Sequence, residues 1–276
     1  MAKKSDNGAE LQIVAPKLGH VTLCLLGTSP FIFNAMSEKA RQTLLLPKGR
    51  MTSADKAQNL KHNPIEEYRG SVYAHRESTH PTRLYFPSNA FRKAMETAAL
   101  DLPGAKKSQI GRLISPVGDK IDFFGIPRML MSVVRSSDMA RTPDIRTRAI
   151  VPEWACMVSI SYKTPALGND QIGSLLTAAG MFVGVGDWRQ EKGSGSYGQF
   201  TIVGTRDESF RTLVKTAGRE AQDKALAEPA MHDLETEKLF NWYNEEIRKM
   251  GERARKMING AGPAEATGEE GTEAEA

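Results

Sequence analysis

The sequence predicts an α+β fold: a ferredoxin-like core with an inserted segment and a helical C-terminal extension. Three observations lead there. Short β-branched runs alternate apolar with polar residues, two segments carry helical apolar spacing, and the order reads strand–helix–strands, then strand–helix–strand. That is the order of a split βαβ unit. The chain has 276 residues, 40% apolar and 25% charged, an ordinary globular composition able to bury a core. No apolar run approaches the roughly 18–20 residues of a membrane-spanning helix. MAKKSDNGAE has no apolar stretch behind its lysines, so a secretory signal is not expected. Cys24 and Cys156 lack metal-ligand spacing and sit in apolar runs, where cysteine behaves as a small buried hydrophobe. A reducing, cytoplasmic setting is expected, with no membrane partner.

The first ten residues and those after about Gly260 are polar and small, and the ends, 1–15 and 260–276, read as disordered. The core is expected over 16–206. It opens with HVTLCLL from His20, a β-branched strand broken at Ser29-Pro30 before FIF resumes an extended run. Residues 36–83 crowd basic, polar and proline residues with poor apolar period, and read as a partly exposed insertion with a short helix near Ser53–Leu60. Leu84-Tyr85-Phe86 is a short strand. Ser88 is placed to cap a helix running to about Leu100, with Phe91, Ala94, Met95 and Ala98 on its apolar face. Short strands follow around 110–117, 121–125 and 129–135, and RSSDMARTPDIRTR reads as a loop. In IVPEWACMVSISYK, Trp154, Cys156, Val158, Ile160 and Tyr162 point one way. Asp170 is the expected cap of the next helix, whose buried face is Ile172, Leu175, Leu176, Ala179 and Phe182. Gly184-Val-Gly186 stops it, and a glycine-rich loop leads into YGQFTIV. The extension, 207–259, reads as two helices broken at Pro229, the second striped by Leu239, Tyr243, Met250, Ala254 and Met257.

The net charge of +4 conceals an asymmetry. Residues 261–276 hold five glutamates and no basic residue, so the rest carries 37 basic against 28 acidic residues, a net of +9. A basic body with an acidic tail fits a polyanion partner or a merely basic soluble protein. Three basic constellations stand out. KGSGSYGQF matches G-x-G-x-x-G from Gly193, but a helix precedes it and a strand follows. That reverses the order a dinucleotide fold needs. Beside Arg189 and Lys192, such a loop offers free N–H groups to a phosphate backbone, or serves tight helix–strand packing. The stretch Arg128, Arg135, Arg141, Arg146 and Arg148 suits phosphate contacts through guanidinium forks, or forms local pairs with Asp138 and Asp144. Arg92, Lys93, Lys106, Lys107 and Arg112 form a third set, for which surface solubility is the plainer role. No catalytic triad can be defended from spacing. His75 and His80 flank Glu77 without a recognised metal spacing, so neither metal nor cofactor is expected.

Three stretches in this order resemble the RAMP (repeat-associated mysterious protein) superfamily, especially the backbone subunits of CRISPR effector complexes. They are HVTLCLLGTSPFIF, LYFPSNAFRKAMETAA and LLTAAGMFVGVGDWRQEKGSGSYGQFTIV. The chain is also similar to uncharacterised phage and prophage proteins. The resemblance implies a modified RRM-like core with thumb or finger insertions, binding single-stranded RNA along its backbone, with copies stacked in a row. Carried over by position are Ser88, Arg92 and Lys93 at the helix start, and Gly193, Ser194, Gly195, Ser196 and Tyr197 in the loop. Some such subunits cut RNA with an aspartate after the first strand. The loop Gly27–Ser37 has none.

The expected function is non-catalytic binding of single-stranded RNA or DNA, RNA preferred, by a protein that assembles into an oligomer or filament. Tyr85, Phe86, Tyr197 and Phe200 are the candidate stacking platforms. The alternatives are an RNA-processing nuclease of the same fold, or a phage assembly protein using the helical extension for partners.

Overall fold

The computed structural model describes residues 15–36, 62–135, 141, 143–192 and 195–260. The centre is β1 (Lys17–Gly27), whose Val21, Leu23 and Leu25 face one side and Leu18, His20 and Thr22 the other. It pairs antiparallel with β8 (Ala155–Thr164) along one edge, from Lys17 opposite Thr164 to Leu26 opposite Ala155. Its other edge pairs with β9 (Phe200–Val203). Beyond β8 lie β4 (Ile114–Pro116) and β5 (Lys120–Phe124), and beyond β5 lies β3 (Tyr85–Pro87). The main path is β3-β5-β8-β1-β9, every pair antiparallel. A second sheet, β2-β7-β6, is built from β2 (Phe31–Ile32), β6 (Arg128–Arg135) and β7 (Pro143–Val151).

Two helices cover one face of the larger sheet. They are α2 (Asn89–Ala98), burying Phe91, Ala94, Met95 and Ala98, and α4 (Asn169–Ala178), burying Ile172, Leu175 and Leu176. Against them stand Cys156, Val158, Ile160 and Tyr162 of β8. The two sheets meet in an aromatic cluster. Phe31 lies 4.9 Å from Phe33 and from Phe86, and 4.6 Å from Phe123, while Phe123 stacks on Trp154 at 5.1 Å. Among helices not yet named, α1 (Pro64–Gly70) buries Tyr68 and α3 (Lys107–Leu113) buries Ile110. α5 (Glu208–Thr216) lays Phe210 over Cys24, Phe124 and Ala155 on the opposite sheet face. α6 (Arg219–Ala227) and α7 (Leu234–Gly260) complete the chain. Both cysteines are free and buried, and burial pushes both thiols up in pKa. Among the described residues, no helix is long and apolar enough to cross a membrane.

Several local expectations need correction. The arginine-rich stretch is a strand over its second half: Ile145, Thr147, Ala149 and Val151 face inward while Arg146 and Arg148 face out. Residues 107–113 form a helix before β4. Ser88 stands at the N-cap position of α2, but its Oγ donates to the Gly118 carbonyl at 2.6 Å and makes no capping bond. The cap residue of α4 is Gly168, with Gln171 Oε1 accepting from its N–H, and Asp170 lies in the first turn. Phe182 is exposed because a π-turn, Ala179–Val183, adds a residue to that turn and brings Val183 inward instead. Three helices, not two, follow Asp207, the extra break falling at Ala217-Gly218. In α7 the packing stripe stops early: Leu239 and Phe240 touch the core, whereas Met250 is exposed. The helix expected at Ser53–Leu60 and the two chain ends lie outside the described residues.

Candidate nucleic-acid interface

The outer side of α2 forms the floor of two adjoining grooves. The first, about 540 Å³, brings Lys93 and Asn89 of α2 together with Lys107 of α3, Tyr73, Asn34 after β2, and Arg189 and Glu191 after the π-turn. The second, about 690 Å³, carries Arg92, Lys106, Lys107 and Arg112. Glu96 and Lys107 belong to both, so the grooves form one track along the helix. Lys93 follows from the helix geometry: with Phe91, Ala94 and Met95 buried, it projects outward.

The two carboxylates in the track are each occupied. Arg92 Nε lies 2.9 Å from Glu96 Oε1, an ion pair without hydrogen-bond alignment, and Arg189 Nη2 lies 3.0 Å from Glu191 Oε2. Lys93 meets no carboxylate among the described residues. Lys107 Nζ donates to Thr97 Oγ1 at 3.3 Å. The track is therefore net positive with ammonium groups available, the electrostatic requirement for a phosphate backbone.

The remaining candidate residues are dispersed. Arg92 also donates to the Gly111 carbonyl and fastens α2 to α3. Ser88 is buried. Arg128 and Arg135 occupy opposite ends of β6, about 23 Å apart at strand rise, and Arg141 is exposed. Arg146 and Arg148 point from β7 toward Asp187 and Trp188, with Arg148 Nε 3.7 Å from Asp187 Oδ2. Burial lowers the Arg148 pKa and the Asp187 carboxylate opposes that. Lys192 ends a single 3₁₀ turn, Gln190–Lys192. Gly193 and Ser194 lie outside the described residues. Ser196 is exposed and Tyr197 half-buried. Gly195 and Gly198 answer to packing: a Cβ at Gly195 would fall 1.5 Å from the Trp188 carbonyl oxygen, and one at Gly198 (φ +71°) 1.7 Å from that of Val185.

Of the four aromatic candidates, Phe86 and Phe200 are core residues. Tyr85 is half-buried beneath Lys120 Nζ, 4.9 Å from its ring centre, and Tyr197 rests on Ile32, Leu130 and Ile150. On the sheet face away from α2 and α4, the open residues of β1 and β8, Leu18, His20, Thr22, Met157, Ser159 and Ser161, include no aromatic, while Tyr85 shares that face on β3. Trp188, 39% exposed, was not singled out from sequence. Its position beside Arg189 was visible, its backbone was not.

His75, His80 and Asp122 also converge. His75 Nε2 and His80 Nδ1 lie 3.1 and 3.5 Å from Asp122 Oδ1, and the rings stack at 3.7 Å with an interplanar angle of 13°. Near-parallel rings aim their nitrogen lone pairs within two separate planes, so a shared ion requires one ring to turn. As it stands, His75 is hydrogen-bonded to Asp122 and His80 lies within ion-pair distance of the same oxygen. Burial, then His80, hold the His75 pKa below the ordinary imidazole value against the pull of Asp122.

No protein-family model matches the chain, and no curated protein matches it. Among solved structures, the crystal structure of Cmr6 from Pyrococcus furiosus aligns over 68% of this chain and 98% of that one, with 10% sequence identity and a TM-score of 0.35.

Proposed function

We propose that this chain binds single-stranded nucleic acid, RNA in preference to DNA, along its phosphate backbone and without cleaving it. Copies assemble side by side along the strand, as the RAMP resemblance implies. One observation carries the reading: Lys93, Lys107 and Arg189, from three separate elements, line one groove that continues into a second basic groove along α2. A track rather than a closed pocket suits an extended polyanion. The paired Glu96 and Glu191 leave its net charge positive. The strand order supports the finer fold assignment. Strands β5-β8-β1-β9 with α2 and α4 on one face follow the arrangement of a ferredoxin-like unit, to which the β2-β7-β6 sheet is an addition. The exposed residues of the central strands β1 and β8 include no aromatic, which favours backbone reading over RRM-type stacking on those strands.

The test is fluorescence anisotropy with a labelled single-stranded RNA, the same sequence as DNA, and a duplex, at several salt concentrations. Sedimentation velocity follows on lengthening RNA. The reading expects single-stranded RNA to bind most tightly, affinity to fall steeply with salt, and bound mass to step up with RNA length. Equal affinity at low and high salt removes it.

A further inference from the structure

We infer that Trp188 is a nucleobase-stacking site beside the phosphate track; this rests on the proposed single-strand binding. The first observation is backbone strain. Trp188 has φ +50°, the left-handed region that bulky residues avoid unless the surroundings enforce it. The surroundings do enforce it. Its N–H donates to Asp187 Oδ1 at 3.1 Å, its carbonyl accepts from Tyr197 N–H at 3.3 Å, and Gly195 leaves room for that carbonyl by lacking a Cβ. The second observation is what the strain achieves. A core position would repay a tryptophan by burial, yet this ring stays 39% exposed. Glycine or asparagine would hold the same turn at lower cost. The strained conformation therefore serves the presentation of an aromatic face.

The surroundings of that face select the ligand class. Tyr197 lies 6.2 Å away, centre to centre, tilted by 35°, and extends the aromatic surface. Arg146 and Arg148 project from β7 beside it. Asp187 partly neutralises Arg148, whereas Arg146 meets no carboxylate among the described residues. An aromatic face flanked by guanidinium groups matches a base and its phosphate better than an aliphatic side chain. Arg189, the next residue, lines the groove along α2, so a strand leaving that groove reaches Trp188 within one residue of the protein chain.

The experiment compares wild type with Trp188→Gly, Trp188→Leu and Trp188→Phe, using oligo(U) 12-mers with and without abasic nucleotides. Wild type should prefer the base-bearing strand. Trp188→Gly and Trp188→Leu should bind it about 5- to 150-fold more weakly and lose the preference, while Trp188→Phe retains most of both. Trp188→Gly should melt at or above the wild-type temperature, since it relieves the strained φ. If the wild type binds and all variants bind equally, the stacking site is refuted and the phosphate track stands. If Trp188→Gly melts well below wild type, the ring is packing and the inference falls. If the wild type binds no single strand, the proposed function falls with it.

Discussion

Gln222 offers the sharpest test of how the fold is held. It is fully buried in α6 and serves five backbone groups. Its Oε1 accepts from the N–H groups of Arg83 and Leu84 at 2.8 and 2.9 Å, and its Nε2 donates to the carbonyls of Phe123, Gly125 and Ala217 at 2.8, 3.0 and 3.0 Å. One amide thus joins α6 to the entry of β3 and the exit of β5. Replacement by leucine preserves volume and removes every one of these bonds. Two N–H groups lose their acceptor, and each orphaned buried donor costs about 1–3 kcal/mol. The Ala217 carbonyl keeps the N–H of Gly125 as a partner, so the carbonyl losses add less. Gln222→Leu should therefore destabilise by about 3–5 kcal/mol, roughly 6–20 °C in Tm for a domain of this size. Gln222→Glu keeps the acceptor but turns an anion toward three carbonyls, and its deficit should shrink as pH falls. Circular-dichroism melts and urea titrations read both variants. A loss under about 1 kcal/mol for Gln222→Leu would mean that water or a shifted backbone satisfies these groups, and the reasoning fails. RNA affinity measured well below the melt should be unchanged, since Gln222 reaches neither groove.

Three further predictions concern separate parts of the chain. Gly198→Ala combines φ +71° with a Cβ 1.7 Å from the Val185 carbonyl oxygen, and should lose about 2–4 kcal/mol in a melt; a neutral result would show the loop is free to move. His75 has a folded pKa below its unfolded one, through burial and His80 with Lys120 adding, against Asp122; the unfolded chain thus binds the extra proton, and the stability His75 contributes is full above about pH 6.5 and lost as pH falls below it. Tm should drop between pH 7.5 and 5.5 and the drop should shrink in His75→Gln, an identical pH profile being the contrary outcome. Removing residues 261–276, with their five glutamates, should tighten nonspecific RNA binding or leave it unchanged, because the tail's charge repels phosphate; weaker binding in a filter assay would give the tail a positive role.

Periodicity carried what it could. The buried face of α2 and the inward residues of β8 were legible, because one apolar partner surface imposes a clean 3.6 or 2.0 period. β7 was not, since Arg146 and Arg148 alternate with Ile145, Thr147 and Ala149, and charge obscured the period. Phe182 was misplaced by a single added residue in a π-turn, which no side-chain pattern announces. The site was legible only in pieces. Lys93 and Arg189 were each readable as exposed cations, but their convergence depends on α2 packing beside the π-turn. Gln222 looks like any polar residue in a charged helix, and the φ of Trp188 is set by Asp187, Gly195 and Tyr197 together.

The salt dependence of RNA binding by a Lys93→Ala, Lys107→Ala, Arg189→Ala variant tests the groove along α2 most directly. On single strands each phosphate contact contributes about 0.7 to the slope of log K against log salt. If the three side chains hold the backbone in one track, the slope should fall by about 2 from the wild-type value, with Tm close to wild type because Lys93 and Lys107 are exposed and the Arg189–Glu191 ion pair is partly solvated. An unchanged slope, with the variant folded and binding as before, would contradict the claim that the groove along α2 is where the strand lies.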